Sequence, residues 1–236
     1  MAKINSVKLL AWESVGVLWI SVAGWILHFA FELSGYDRRM ALIAAVNESA
    51  WEHAKLYFWP GLVYALVQYT YTRAVARNYV LGKALSLAVT PITIFIVYFS
   101  YLAWIRFNDT EGTLVAMLLI MTFGVAVGQA VSYRVLTMPA LGTPFARYGV
   151  AIGILTLLCF SSFTYFPPRA RLFENFYCYE YTNDFGFLPD YEPYRVFLKK
   201  DDPNATPGGG VQYCKAVYER RRAEREAAAA GGQTEP

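Results

Sequence analysis

The feature that most constrains this chain is the recurrence of apolar runs about 20 residues long, the length a helix needs to cross a bilayer. Five runs can be read, at about 10–33, 47–72, 81–105, 113–133 and 147–166. The first is too long for a signal peptide and lacks a convincing cleavage site, so it is expected to remain in the mature protein. Asn47 is placed to cap the second run, because its side-chain oxygen can satisfy free backbone N–H groups there. Pro60 and Pro91 are expected to bend the second and third runs, and Pro167 and Pro168 to stop the fifth. The fold class that follows is an all-α membrane protein. It is a bundle of about five transmembrane helices with an aromatic-rich extramembrane C-terminal tail.

Charge separates body from tail. Up to Phe166 the chain carries 11 basic and 7 acidic residues; after it, the last 70 residues carry 10 and 11. Charged residues make up 17% of the whole, against about 25% in soluble domains. A net charge of +3 is too small for a nucleic-acid binder built on a positive field, and no nucleic-acid partner is expected. The expected surroundings are the lipid bilayer.

Orientation follows from the loops. The N-terminal side would hold Lys3, Lys8, Arg73, Arg77, Lys83, Arg134 and Arg147, and the other side Arg38, Arg39, Arg106, Arg169 and Arg171. Seven against five puts the N-terminus inside and the tail outside by the positive-inside rule. In an oxidising compartment Cys178 and Cys214, both in the tail, would be able to pair; Cys159 lies in an apolar run and reads as packing. Residues 167–203 are too aromatic for solvated coil and are expected to fold over the bundle mouth or onto a protein partner. Residues 204–236 read as a linker, a short charged helix and a loose end.

The residues out of place are polar and sit close together. His28 and Glu32 are spaced i, i+4 at the end of the first span. Glu48 and Glu52, with Ser49 and His53 beside them, form parallel rows at the start of the second. The connection is short, so the two ends must be neighbours near the membrane surface opposite the N-terminus. Ionisable groups at such depth are rare and face a bundle interior or a wet cavity. His28, Glu32 and His53 are the candidate ligands for a divalent metal such as zinc. Glu48, Glu52 and Lys55 are the candidate catalytic groups, with Asn47, Ser49 and Trp51 in support. The same set would equally serve as a clamp between two helices, or as a proton relay, since a carboxylate partner moves histidine across neutral pH.

Polar positions continue through the bundle: Lys83, Ser86, Thr90 and Thr93 on the third span, Thr122 and Gln129 on the fourth, and Tyr57, Tyr64 and Gln68 below His53. They read as interhelical hydrogen bonding or as a hydrated pathway. Gly124-x-x-x-Gly128 and Gly149-x-x-x-Gly153 read as sites of close helix approach.

Three blocks together carry a resemblance. They are His28-Phe-Ala-Phe-Glu32, then Asn47-Glu-Ser-Ala-Trp-Glu-His-Ala-Lys55, then Thr164-Tyr-Phe-Pro-Pro168 with Leu172-Phe173. They resemble an uncharacterised family of small prokaryotic multi-pass membrane proteins, a domain of unknown function. The resemblance covers the five-span body up to the 180s. It implies a compact helical bundle in a prokaryotic cytoplasmic (inner) membrane and brings no reaction with it. The chain departs from the family at Ala45, where proline is usual, and in its extension past the Pro-Pro segment. Three functions are consistent with these readings: a metal-dependent intramembrane hydrolase acting on a lipid-like substrate, a non-catalytic subunit or assembly factor, and a proton-linked transporter.

Overall fold

The computed structural model describes residues 5–110, 112–175, 185–187, 219 and 222–224. Five long helices form the body: α1 (Ser6–His28), α3 (Ala50–Thr72), α4 (Tyr79–Phe107), α5 (Leu114–Thr137) and α6 (Thr143–Ser162). A four-residue helix, α2 (Ala30–Leu33), follows α1, and single 3-10 turns occupy Met40–Leu42 and Arg171–Phe173. The only strand-like feature among the described residues is an isolated bridge between Glu174 and Phe185. Cys178 and Cys214 lie outside the described residues.

Four of the helices, α1, α4, α5 and α6, are long and apolar enough to cross a bilayer. Their large apolar side chains point outward, among them Leu18 and Trp19 on α1, Ile92 and Ile96 on α4, Leu119 on α5 and Leu155 on α6, while Glu13, Gln68 and Lys83 are buried. Polar groups inside and apolar groups outside is the arrangement lipid selects. The chain is a multi-pass integral membrane protein.

α3 equals α1 in length but carries Glu52, His53, Lys55 and Gln68, and so is less apolar than the other four. It runs antiparallel to α1 through the same depth. Near one end the Lys8 ammonium donates to the Tyr71 carbonyl, and in the middle Gly16 lies against the Tyr64 ring. Toward the other end Gly24 lies against the Tyr57 ring. At that end the rings of His28 and His53 stand 5.1 Å apart. Pro60 sits inside α3, and the carbonyl of Leu56, which it leaves without an N–H donor, faces Gly24 of α1.

α4 is the other organising element and packs on α3, α5 and α6. Its contact with α5 is close because glycines admit it. A Cβ built on Gly128 would fall 2.1 Å from the Thr90 hydroxyl, and one on Gly124 would fall 2.4 Å from Ile94. Gly149 on α6 meets the backbone of Leu81 in the same way.

Helix ends differ from the sequence expectation where side chains compete for them. The first span does not continue unbroken to Leu33. It ends at His28, where the Phe29 N–H turns back to the carbonyls of Ile26 and Leu27. The second begins at Ala50, capped by Ser49, whose hydroxyl accepts from the Glu52 N–H at 3.2 Å. Asn47 instead accepts from the Ser49 N–H and donates its side-chain amide to the Gly186 carbonyl. The last helix stops at Ser162, short of the proline pair, which frees Thr164 to turn inward.

Candidate metal centre and its supporting network

The end of α1, the start of α3 and the segment after α6 meet at one rim of the bundle. There Glu48 lies between two imidazoles. Its Oε1 is 3.5 Å from His28 Nε2, and its Oε2 is 3.3 Å from His53 Nε2. One ligand atom from each of the three residues falls within 4.8 Å of the others, the one group of that kind among the described residues. Their side chains are 30%, 19% and 18% exposed, in the order His28, Glu48, His53, so the site opens outward.

The chemistry of His53 is set by its neighbour one turn earlier. Nδ1 stands 2.9 Å from the Ser49 carbonyl oxygen. A carbonyl only accepts, so Nδ1 carries the proton and Nε2 of the neutral ring presents a lone pair. That lone pair faces a carboxylate. Two acceptors at 3.3 Å repel unless a positive species sits between them, either a proton on the ring or a metal ion. Burial alone would raise the Glu48 pKa, but in the proton-bridged state the charge and hydrogen bonds of protonated His28 and His53 outweigh it. They hold Glu48 well below the usual carboxylate range.

A second network begins one turn further into α3 and is closed to solvent. The Lys55 ammonium, 0% exposed, donates to Glu52 at 2.5 Å, to Thr164 at 2.7 Å and to the Ala41 carbonyl at 2.7 Å. Those bonds occupy all the N–H groups an ammonium has. Glu52 also accepts from the Thr164 hydroxyl at 2.7 Å and from the Val46 N–H at 3.1 Å. Two chain segments are tied to α3 by this pair, the connection before it through Ala41 and Val46 and the stretch after α6 through Thr164. Trp51 adds an aromatic tie, stacked on Phe160 at 4.4 Å and tilted against Phe173 at 4.9 Å.

The expected site residues therefore divide. His28, His53 and Glu48 converge, with Glu48 in the position expected for Glu32. Glu32 is buried on α2 and is not in that group, because the break at Phe29 ends the helical register its spacing assumed. Glu52 and Lys55, read from sequence as catalytic, have their polar atoms committed to one another, to Thr164 and to backbone, with no donor of Lys55 left for a substrate. Asn47 and Ser49 fix the turn between these two networks. Within the first part of the tail, Phe173 packs on Trp51 and Phe163, and Phe187 packs on Phe31 and Tyr165.

Sequence reasoning passed over Glu13. It sits inside the first span and takes two hydrogen bonds from Lys83, at 2.7 and 2.8 Å, and one from Gln68 at 2.7 Å. The signal was present, since an acid deep in one apolar run and a lone base in another call for each other.

Fold and rim site together define a multi-pass helical membrane protein with a two-histidine, one-carboxylate cluster at one membrane face. Within that class the chain belongs to a family of unknown function, DUF6512, whose model matches residues 1–183. That match takes in the whole helical body and the beginning of the aromatic segment. Comparisons with curated proteins and with solved structures give no match.

Proposed function

We propose that this is a metal-dependent membrane hydrolase, in which His28, Glu48 and His53 hold a divalent cation such as zinc at the rim and act on a lipid-like substrate. The observation that carries the reading is the convergence of two imidazoles on one carboxylate, with His53 held in the tautomer that aims a lone pair inward. The two imidazole-to-carboxylate separations, 3.5 and 3.3 Å, run to different oxygens of Glu48, and one ligand atom from each residue lies within 4.8 Å of the others, so a small rotation of the side chains would bring three ligands onto one ion. The Ser49 carbonyl is the kind of outer partner that orients metal-bound histidine. Three protein ligands leave a fourth position for water, whose acidity a metal raises. The rim location and the partial exposure of the site support a substrate that arrives from the lipid surface.

In this reading Glu52 and Lys55 hold the frame, and Glu48 is the carboxylate nearest the reacting water. Basic loop residues favour the N-terminal side as the inner face, with the site on the outer face of a prokaryotic cytoplasmic membrane. The test is turnover of a panel of phospholipid and acyl-ester substrates by the full chain in liposomes, with and without added zinc. Zinc-stimulated hydrolysis that His28→Ala abolishes supports the reading. No hydrolysis across the panel contradicts it.

A second reading is a non-catalytic subunit or assembly factor that docks a partner through its tail. The saturated Glu52–Lys55–Thr164 network favours it, because half of the motif is spent on fastening. Co-purification of one partner in fixed ratio, lost when residues 188–236 are deleted, supports that reading.

A further inference from the structure

The two buried lysines of the bundle are satisfied very differently. Lys55 uses all its donors. Lys83 donates two hydrogen bonds to Glu13, and its ammonium stands 6.0 Å from the Tyr79 ring centroid. Around it several buried acceptors are also unmet: Gln68 Oε1, Gln129 Oε1 and Ser132 Oγ make no hydrogen bond as acceptors or donors to protein.

These groups come from four helices and meet at one level. Gln68 of α3 and Lys83 of α4 both bond Glu13 of α1. Gln129 Oε1 of α5 lies 3.1 Å from where a Cβ on Gly16 would sit, one turn along α1 from Glu13. Ser132 is one turn from Gln129, and its carbonyl lies 3.5 Å from the Cβ position of Gly82, next to Lys83. Gln129 donates its amide to the Ser86 hydroxyl at 3.3 Å, and the Tyr64, Thr72 and Tyr79 hydroxyls donate to the carbonyls of Trp12, Gln68 and Ala65.

We infer that Glu13, Gln68, Lys83, Gln129 and Ser132 enclose a binding site for water within the membrane, in the half of the bundle opposite the rim site. Its chemistry selects the ligand. The unmet groups include one ammonium N–H and two amide oxygens, so the occupant must both accept and donate. Lys83 disfavours a metal cation, and water both accepts and donates. An orphaned polar group in lipid costs several kcal/mol, and buried water is the ordinary remedy where polar partners converge. Such water hydrates the Glu13–Lys83 pair and lets it be retained at a depth where a dry ion pair is costly.

The test is magic-angle-spinning NMR on the ¹⁵N-labelled full chain in lipid bilayers, reading proton transfer from water to side-chain nitrogens. The chain has four glutamines. Gln68→Leu and Gln129→Leu assign the two signals, and if either variant fails to fold, Ser132→Ala keeps both glutamines and marks them by its shifts. Transfer to both amides, at mixing times where the exposed Arg39 guanidinium also receives it, is the expected result. Transfer to Arg39 with either glutamine amide silent overturns the proposal.

Discussion

His53 donates its Nδ1–H to the Ser49 carbonyl at 2.9 Å, and this bond turns Nε2 toward Glu48, 3.3 Å away. One helical turn of α3 thus sets the direction of Nε2, the nitrogen that would face a metal in the proposed reading. The rest of the rim holds that turn in place.

Acid should undo the rim. The folded-state pKa of Glu48 is depressed below its ordinary value of 4.5 by the two histidines. A depressed carboxylate contributes stability that is complete above its unfolded pKa and is lost as pH falls toward the folded one. Thermal unfolding in detergent should therefore show a falling midpoint below about pH 4.5 that is shallower in Glu48→Gln. Identical acid limbs in the two proteins would contradict the assignment.

Lys55→Met should lower stability by about 3–5 kcal/mol, because it strands a buried carboxylate. Lys55→Met combined with Glu52→Met should cost less than the sum of the single changes, since no charge is left behind. Additive costs in denaturant titrations would mean that the pair is not coupled.

Much of this was legible from sequence, and the misses have physical causes. The His28–His53 encounter follows from a short connection between two apolar runs. That Glu48, not Glu32, stands between the two histidines was hidden by the break at Phe29, where the backbone turns and i, i+4 spacing loses its meaning. The role of Lys55 was hidden because its partner Thr164 lies 109 positions away, and no local pattern reports a tertiary hydrogen bond. Helix α3 looked like its neighbours in length, but Glu52, Lys55, Tyr57, Tyr64 and Gln68 line a buried face of it while Val63, Leu66 and Val67 stay exposed.

Thr164 bridges Glu52 and Lys55 from the segment after α6. Thr164→Val should cost about 1–3 kcal/mol by leaving both partners short of a bond. Thr164→Ser keeps the hydroxyl and should recover most of that. The comparison needs only melting curves of the three proteins, and equal losses for Val and Ser would rule out the bridge as the cause.

Gly128→Ala should destabilise by about 1–3 kcal/mol through overpacking, since the new methyl would lie 2.1 Å from Thr90 Oγ1 and 3.0 Å from the Ser86 carbonyl. Thr90→Ala in the same chain should return part of the loss, because only the first contact is removed. A wild-type melting midpoint for Gly128→Ala alone would mean that α4 and α5 are not this close.

The central claim is that His28, Glu48 and His53 bind a metal, and elemental analysis of the purified full chain tests it most directly. After equilibration with zinc and removal of the excess, one ion per chain is expected in the wild type. The ion should be absent from His53→Ala and Glu48→Gln and retained in Glu32→Gln. A wild-type chain without stoichiometric metal, or a metal content unchanged by His53→Ala, would contradict the account.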